Sequence, residues 1–319
     1  MKALKDISWL RKTASFFPSR IILTANNYRL FDVLEGRGRT AGALAKAASA
    51  DTRGMELLLN SLVAIGLLEK EEGKYRNAPV ASRYLVKGKP DYQGDILRHY
   101  DILWDNWSCL DLAVKTGRPQ RKSGDHESFI LGMHNLALQR VNKVVGSLDL
   151  KGVKTVLDLG GGPGTYSMGF ARRKIAATLF DLPETLKISK KLIEDSGLGD
   201  RVRLLPGDFM KDDLGGPYDM IFISQILHAY GAKQCVSMLG KCRASLREGG
   251  RIVIQEFHLD ETKTGPVQGA LFAVNMLVNT PEGRTYTPAE MTSWLKKSGF
   301  EDRETKVIDE TVLISGRKK

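Results

Sequence analysis

The chain has 319 residues, of which 42% are hydrophobic and 27% are charged, which is ordinary for a globular protein and long enough for two domains. No apolar run approaches the roughly 18 residues of a membrane-spanning helix, and the N-terminus lacks the apolar core of a signal peptide. The net charge of +11 would suit an anionic partner, but no block of five like charges occurs, so we expect the basic residues on solvated faces.

The first hundred residues predict short helices followed by a small β-ribbon. Apolar residues recur at helical spacing over residues 19–34, Thr40 can cap the helix AGALAKAAS, and Asp51 can cap a helix over residues 52–65. LLEKEEGKYRNA predicts two strands around a Glu-Gly turn. Helices followed by a β-wing are typical of a winged helix-turn-helix.

The helix over residues 52–65 decides between two roles for this unit. A DNA-recognition helix needs a polar, usually basic face. TRGMELLLNSLVAI is apolar nearly all round, with Arg53, Glu56, Asn60 and Ser61 as its polar side chains. Such a helix is buried by its own domain or by a partner, so we favour a dimerisation module over a DNA reader.

The middle of the chain predicts a connection between two domains. DYQGDILRHYDILWDNWSCLDLAVKTG predicts one long helix that ends at Gly117. The polar stretch GRPQRKSGDHES follows, and FILGMHNLALQRVNKVVGSL predicts a further helix. We therefore predict a winged-helix dimerisation domain with its connecting helix over residues 1–117, and a second domain over residues 118–319.

The second domain predicts a Rossmann-like α/β fold. Strands apolar throughout alternate with helices, which indicates a mostly parallel sheet covered on both faces. After a helix near residues 288–297, DRETKVIDETVLISG predicts two strands with little between them, and hence an antiparallel edge. The predicted parallel strands are TVLDLG, ATLFDL, VRLLPGDF, DMIFIS and RIVIQEF.

A glycine-rich turn, GGPGTYS, joins the first of these strands to its helix. Gly160, Gly162 and Gly164 would let the backbone approach a ligand, and the helix N-terminus adds free amides. No frame of these glycines fits the Gly-x-Gly-x-x-Gly pattern of nicotinamide sites. Asp158, two residues before them, suits a positively charged amine and sulfonium better than a pyrophosphate.

Two further acids follow at the ends of the next two strands. Asp181 can accept hydrogen bonds from both hydroxyls of a ribose, and Asp208 can accept one from an adenine amino group beside Phe209. All three acids fall at the carboxyl ends of strands, where open sheets bind ligands. The pattern predicts S-adenosylmethionine as the cofactor, and we expect Leu182, next to Asp181, and Ser224, at the end of the strand DMIFIS, in the cofactor site.

These motifs resemble the class I small-molecule O-methyltransferases, a family that includes caffeate, polyketide and hydroxyindole enzymes. The resemblance covers nearly the whole chain and implies an intertwined homodimer formed through the N-terminal domain. It includes FDVL, LLNSLVAIGLLE, RYLVKGKPDY, VLDLGGGPG, FDLPE, GDF, QILHAY, NMLVNTPEGRTYT and the Gly-Phe that ends at Phe300.

The resemblance also implies a general base. The family has a Leu-His-Asp-Trp motif after the fourth strand, and His228 takes the histidine position while Ala229 replaces the aspartate. A histidine can remove the proton of a phenol as the methyl group is attacked. Glu256 matches the first acidic partner of that histidine. The second partner falls near Arg284–Thr285, where no acid stands; Glu282 is close but out of register.

The acceptor pocket is expected between the domains. Aromatic side chains fit a flat, hydroxylated acceptor, although the same aromatics would serve equally well in interdomain packing. The resemblance implies that Met133 flanks the substrate ring and that Asn275 and Met276 lie on the helix that faces it. Tyr100 and Trp104 on the connecting helix are candidates as well, with His99 and Trp107 as further ones.

The leading hypothesis is therefore a homodimeric O-methyltransferase that acts on a hydroxyl of an aromatic metabolite, without nucleic acid, membrane or metal. A C-methyltransferase of the same family is the first alternative, and a winged-helix regulator that senses S-adenosylmethionine is the second. Three cysteines without metal-ligand spacing, Cys109, Cys235 and Cys242, are expected to be reduced thiols, as in a cytoplasmic protein.

Overall fold

The computed structural model describes residues 6–122 and 124–319, which divide into an N-terminal unit up to Asp101 and a C-terminal unit from Ile102 onward. This division falls inside a helix, Gly94–Trp107. The domain boundary after Gly117 stays a prediction. Every helix in the described part of the chain is too short or too polar to cross a lipid bilayer.

The N-terminal unit has the predicted order of helices followed by a two-stranded antiparallel ribbon. The caps are confirmed, since Thr40 Oγ1 accepts the Ala43 amide at 3.3 Å and Asp51 Oδ1 accepts the Gly54 amide at 2.8 Å. The elements are α1 (Ile7–Ala14), α2 (Phe17–Asn27), α3 (Leu30–Leu34), α4 (Ala41–Ala47), α5 (Thr52–Ala64), β1 (Leu68–Glu71), β2 (Lys74–Asn77), α6 (Pro79–Tyr84) and the start of α7 (Gly94–Trp107).

Helix α5 packs its apolar residues mainly within its own unit. Met55, Leu59 and Leu62 are buried in one core with residues of α3, α4 and the ribbon. Leu57, by contrast, is 54% exposed. Most apolar side chains of α5 are therefore explained by packing in this core, and only the exposed part of the helix is available to a partner.

Three helices predicted as continuous are broken, so those predictions were wrong. Residues 19–34 split into α2 and α3 because Arg29 adopts a left-handed conformation, with φ 53°. The long connecting helix splits into α7 and α8 (Leu110–Thr116); Ser108 Oγ donates to the Asp105 carbonyl at 2.7 Å, a local bond that competes with helix continuation. The helix over residues 129–148 splits into α9 (His126–Leu138) and α10 (Val141–Ser147).

The C-terminal unit is built on a sheet of seven described strands in the order β5-β4-β3-β6-β7-β9-β8. Strands β3 to β7 are parallel, and β9 pairs antiparallel with both β7 and β8, which confirms the predicted edge. The strands are β3 (Thr155–Leu159), β4 (Ala176–Asp181), β5 (Val202–Pro206), β6 (Tyr218–Ser224), β7 (Leu246–Phe257), β8 (Phe300–Ile308) and β9 (Thr311–Lys318).

Helices cover both faces of this sheet, because its central strands are apolar on both sides. Along β3, Leu157 and Leu159 join one core while Val156 joins the other. The remaining helices are α11 (Thr165–Arg172), α12 (Pro183–Asp195), α13 (Ala232–Ala244), α14 (Val267–Asn279) and α15 (Pro288–Lys297).

The strand order reverses between β3 and β6, which are neighbours in the sheet although β4 and β5 lie between them in the chain. Ligands of open α/β sheets bind at the carboxyl ends of the strands at such a reversal. The glycine turn follows β3, and the segment that carries His228 follows β6. The fold therefore brings the two predicted motifs to one point of the sheet edge.

Candidate active site

The loop over residues 160–164, here called the glycine loop, needs glycine for two different reasons. Gly160 has φ 64°, and a Cβ there would lie 2.7 Å from Ile226 Cδ1, so the loop packs tightly against the segment after β6. Gly162 has φ 52°, but a Cβ there would meet only Ile130 Cδ1, at 3.9 Å. Gly160 thus serves packing, and Gly162 lies at the open part of the loop.

Asp181, at the end of β4, holds the glycine loop from the side. Its Oδ2 accepts the Gly162 amide at 2.8 Å, and its Oδ1 accepts the Leu182 amide at 2.8 Å. Burial raises the pKa of Asp181, while these amide bonds oppose the shift. The carboxylate is therefore fixed in orientation at the loop, where the sequence predicted a ribose-binding acid.

A histidine that sequence reasoning missed lies close to Asp181. His126 Nε2 is 3.0 Å from Thr185 Oγ1, on the first turn of α12. Thr185 in turn hydrogen-bonds Asp181. No short-range pattern marks His126, because it comes from a different helix, α9, some 55 residues earlier in the chain.

Asp158 lies beneath the glycine loop rather than on its open side. Its Oδ2 accepts the amide and the hydroxyl of Ser167 at 2.9 and 2.7 Å, while its Oδ1 is buried with no partner in the described residues. A Cβ on Gly161 would lie 2.5 Å from the Asp158 carboxyl carbon, so glycine is required there as well. Burial raises the pKa of Asp158 to about 7. Contact with a cofactor amine stays a prediction.

Asp208 and Phe209 follow β5 and have different surroundings. Asp208 Oδ1 accepts the Met210 amide at 2.9 Å, and its Oδ2 pairs with Lys211 Nζ at 2.9 Å, which lowers the pKa of Asp208. Phe209 faces the glycine loop, since a Cβ on Gly160 would lie 3.3 Å from its ring. The Phe209 ring therefore lies next to the glycine loop, whereas the Asp208 carboxylate is bonded to Met210 and Lys211 of its own turn.

The chain turns sharply between the end of β6 and His228. Ser224 Oγ donates to Gln255 Oε1 at 2.9 Å. Gln225 adopts a left-handed conformation with φ 58°, which is strained for a residue other than glycine, and its amide donates to the Gln255 carbonyl at 2.9 Å. Strand β7 thus sets the direction in which the chain leaves β6.

His228 is held by Glu256 through two hydrogen bonds. His228 Nδ1 lies 2.8 Å from Glu256 Oε2, and the His228 backbone amide donates to Glu256 Oε1 at 3.2 Å. Because the carboxylate accepts, Nδ1 carries the proton, and Nε2 is the basic nitrogen of the neutral ring. Within the described chain Nε2 has no hydrogen-bond partner. His228 and Glu256 are therefore hydrogen-bonded to each other, and the role of His228 as a base stays a prediction.

Two phenylalanines that sequence reasoning missed lie against the His228 ring. Phe272 packs edge-on, with ring centroids 4.8 Å apart, and Phe257 packs on Phe272 at 4.0 Å. Phe272 precedes Asn275 and Met276 by one turn of α14, so helical spacing could have added it to the predicted acceptor residues. The His228 ring therefore has apolar, aromatic neighbours.

Of the two residues near the expected position of the family's second acid, Arg284 and Thr285, Thr285 is buried. Its Oγ1 donates to the Gly269 carbonyl of α14 at 2.9 Å. Glu282 does not reach His228; its carboxylate packs against Gly231. Gly283 contacts the His228 carbonyl so closely that a Cβ there would overlap it. The segment thus supports His228 through packing, and Glu256 is the acid bonded to its ring.

The predicted acceptor residues are distributed over both units. Met133 is half-buried on α9, and Met276 is buried on α14. The Asn275 side chain accepts a hydrogen bond from Trp107 Nε1 at 2.9 Å. Trp104 belongs to the C-terminal unit, whereas Tyr100 and His99 belong to the N-terminal unit. Their contact with an acceptor stays a prediction.

Comparison with known families agrees with this geometry. The family model described as the O-methyltransferase domain matches residues 116–301, and that described as the O-methyltransferase dimerisation domain matches residues 11–87. The chain belongs to the O-methyltransferase family. This membership confirms the predicted fold class and the predicted enzyme, an O-methyltransferase that uses S-adenosylmethionine.

Individual relatives of this O-methyltransferase cover nearly the whole chain. The 3-hydroxy-5-methyl-1-naphthoate 3-O-methyltransferase of Streptomyces sahachiroi is 33% identical over 86% of this chain and 84% of its own. The structure of human N-acetylserotonin methyltransferase in complex with S-adenosylmethionine is 27% identical, with a TM-score of 0.88 over 100% of this chain and 99% of that chain. The structure of PigF with S-adenosylhomocysteine is 26% identical, with a TM-score of 0.90 over 99% and 100%.

Proposed function

We propose that this O-methyltransferase methylates a hydroxyl of an aromatic acceptor and that His228 is its general base. The observation that carries the proposal is the pair of bonds from Glu256 to the His228 ring and backbone, which leaves Nε2 as the basic nitrogen. A phenol has a pKa near 10, so at neutral pH it needs a base to become a good nucleophile. Glu256 also stabilises the imidazolium that forms when Nε2 takes the proton.

The residues around the glycine loop fit S-adenosylmethionine. Gly162 leaves space at the loop, and Asp181 is fixed beside it. The Phe209 ring offers a surface on which the adenine can stack. The buried, unpaired Oδ1 of Asp158 favours a positive charge above the loop. When bound, the cofactor supplies an electrophilic methyl group on a positively charged sulfur. The protein's part is to orient the acceptor, to exclude water and to take the proton on His228.

The acceptor is proposed to be a flat ring system. Phe272 and Phe257 give the His228 side of the site an aromatic surface, which suits stacking or edge contact with another ring. The relatives support this class, because one is named for a hydroxynaphthoate and another for N-acetylserotonin.

A variant of the base tests the mechanism. We expect His228→Ala to lower kcat about 10²- to 10⁴-fold, the usual contribution of a general base, for a naphthol or hydroxynaphthoate acceptor. Its affinity for S-adenosylhomocysteine, measured by calorimetry, should stay near that of the wild type, because His228 is bonded to β7 and not to the glycine loop. Turnover that survives the substitution would exclude the base and favour a C-methyltransferase.

The N-terminal unit supports a homodimer. Helix α1 buries none of its residues in its own unit, and Ile7 and Phe17 are 60% and 65% exposed. Exposed apolar side chains of this kind mark an interaction surface. Light scattering should give twice the chain mass, and Phe17→Asp with Ile7→Asp should shift it toward the monomer; a monomeric wild type would contradict the proposal.

DNA binding is not part of the proposal. On α5, the exposed side chains include Arg53, Glu56 and Leu57. This mixture of a cation, an anion and an apolar side chain does not make the basic surface that DNA phosphates require. A gel shift that showed DNA binding weakened by salt would contradict this interpretation of α5. The location in the cytoplasm stays a prediction from the three free cysteines.

A further inference from the structure

A lysine of α13 holds the turn over residues 208–212, here called the Asp208 turn. Lys241 Nζ donates to the Phe209 carbonyl at 2.7 Å and to the Asp212 carbonyl at 2.6 Å. Within the turn, the amides of Lys211 and Asp212 both donate to the Asp208 carbonyl, at 2.8 and 2.7 Å. An ammonium group carries several donors and can bridge two carbonyls, and a charged donor makes stronger hydrogen bonds than a neutral one. Lys241 therefore ties the Asp208 turn to α13.

The peptide group between Phe209 and Met210 is held at both of its polar atoms. Its carbonyl accepts from Lys241, and its N–H, which belongs to Met210, donates to Asp208 Oδ1 at 2.9 Å. Because a peptide group is planar, bonds to both atoms fix the orientation of the plane. The Phe209 Cα lies in this plane, so Lys241 helps to set the point from which the Phe209 side chain leaves the backbone.

The Phe209 ring contacts two parts of the active site. It is close to the glycine loop, since a Cβ on Gly160 would lie 3.3 Å from its Cε1. It also packs edge-on against Tyr230, two residues after His228, with ring centroids 5.7 Å apart. A movement of the Asp208 turn would therefore shift this ring relative to the glycine loop.

We propose that Lys241 is a positioning residue of the cofactor site, which holds the Phe209 ring where it stacks on the adenine of S-adenosylmethionine. The inference rests on the proposed function, because the adenine is taken to stack on Phe209. A base stacked on an aromatic ring gains about 5- to 150-fold in affinity, and the gain depends on the placement of the ring. Lys241 acts on this gain through two backbone carbonyls.

The substitution Lys241→Met tests the role of the ammonium, because methionine is unbranched like lysine but has no N–H to donate. We expect calorimetry to show S-adenosylhomocysteine bound about 5- to 20-fold more weakly, since the Phe209 ring is no longer held for stacking. S-ribosylhomocysteine has the same amino acid, sulfur and ribose but no base, so its affinity should stay within about twofold of that for the wild type. In turnover, the KM for S-adenosylmethionine should rise while kcat at saturating cofactor stays within about threefold.

A double-variant cycle shows whether Lys241 acts through Phe209. Phe209→Ala should weaken S-adenosylhomocysteine at least as much as Lys241→Met does, and it should leave S-ribosylhomocysteine unaffected. The double variant should bind S-adenosylhomocysteine no more weakly than Phe209→Ala alone, because both changes remove the same stacking. The control Lys233→Met removes an exposed lysine from the first turn of the same helix and should bind both compounds like the wild type.

Three results would overturn the inference. They are wild-type affinity of Lys241→Met for S-adenosylhomocysteine, an equal loss of affinity for both compounds, and losses that add in the double variant. Failure of the proposed function would differ, because Phe209→Ala itself would then bind S-adenosylhomocysteine as tightly as the wild type.

Discussion

The glycine loop and the His228 turn lie at the ends of neighbouring strands, yet they are assembled in different ways. The loop takes its shape mostly from residues 158–167, with further hydrogen bonds from Asp181 and Ser189 to the backbone of Gly162. The His228 turn depends on Glu256 from β7, Phe272 from α14 and Gly283 from the segment after it. The glycine loop thus depends mainly on residues near it in the chain, whereas His228, the proposed base, is positioned by more distant segments.

This difference has a consequence for mutation. Changes at the loop should act on cofactor affinity, and changes at the supports of His228 should act on kcat while cofactor affinity is preserved. A substitution that affected both quantities equally would indicate that the two regions form one unit.

The largest effect is expected for Glu256→Gln. Both carboxylate oxygens accept N–H bonds from His228, and a glutamine amide has only one oxygen, so one of these bonds is replaced by a contact between two donors. We expect kcat to fall at least about 100-fold, because the ring loses its fixed tautomer and the partner of its imidazolium. Calorimetry should give an unchanged affinity for S-adenosylhomocysteine. Wild-type kcat in this variant would show that Glu256 does not orient the base.

The next largest effect is expected at the glycine loop, on cofactor affinity. Asp181→Ala should weaken S-adenosylhomocysteine binding about 10- to 100-fold, the loss expected for charge-assisted hydrogen bonds. At saturating cofactor, kcat should change little. The control Asp195→Ala removes an exposed carboxylate at the end of α12 and should bind like the wild type. Unchanged binding in Asp181→Ala would remove this residue from the cofactor site.

The sequence predicted the locally encoded part of the molecule best. The α/β order, the caps Thr40 and Asp51, the glycine loop and the antiparallel edge all follow from short-range patterns, and the structure has them. The breaks at Arg29 and Ser108 were missed, because a left-handed residue and a local side-chain bond leave the apolar spacing of a helix unchanged.

At the site, the missed residues are those that arrive from distant segments. His126 reaches Thr185 from α9, and Phe272 reaches His228 from α14. Asp158 was found by its spacing, but its position beneath the loop depends on how α11 packs on β3. Spacing predicts which strand end a residue occupies; the direction of its side chain depends on tertiary packing.

A smaller effect is expected where the His228 turn is supported by packing alone. In Gly283→Ala the added methyl group must displace the His228 carbonyl, so we expect kcat to fall about tenfold, and the free energy of unfolding to fall by about 1–3 kcal/mol. Gly240→Ala is the control, since a Cβ at this α13 position meets nothing within 4 Å. Alanine there should keep kcat and raise helix stability slightly. Equal kinetics of the two variants would contradict the support by Gly283.

The smallest effect is a pH dependence at the glycine loop. Burial raises the pKa of Asp158 to about 7, so its carboxyl is about half protonated at neutral pH. A positive ligand amine above the loop favours the ionised form, and binding therefore releases a proton. We expect the affinity for S-adenosylhomocysteine to rise by at most about tenfold between about pH 6 and pH 8, as the carboxyl ionises without help from the ligand.

Asp158→Asn separates the effect of this carboxyl from that of every other ionisable group of the enzyme. The amide keeps an oxygen for Ser167 and has no proton to release, so calorimetry should give an affinity that is flat over this pH range. Stability gives an independent sign. Because the folded-state pKa lies above the ordinary value of 3.8, ionisation of Asp158 in the folded protein costs stability. The unliganded wild type should therefore lose stability as the pH rises from about 4 through about 7. Asp158→Asn should not share that loss; if it does, the titrating group is not Asp158.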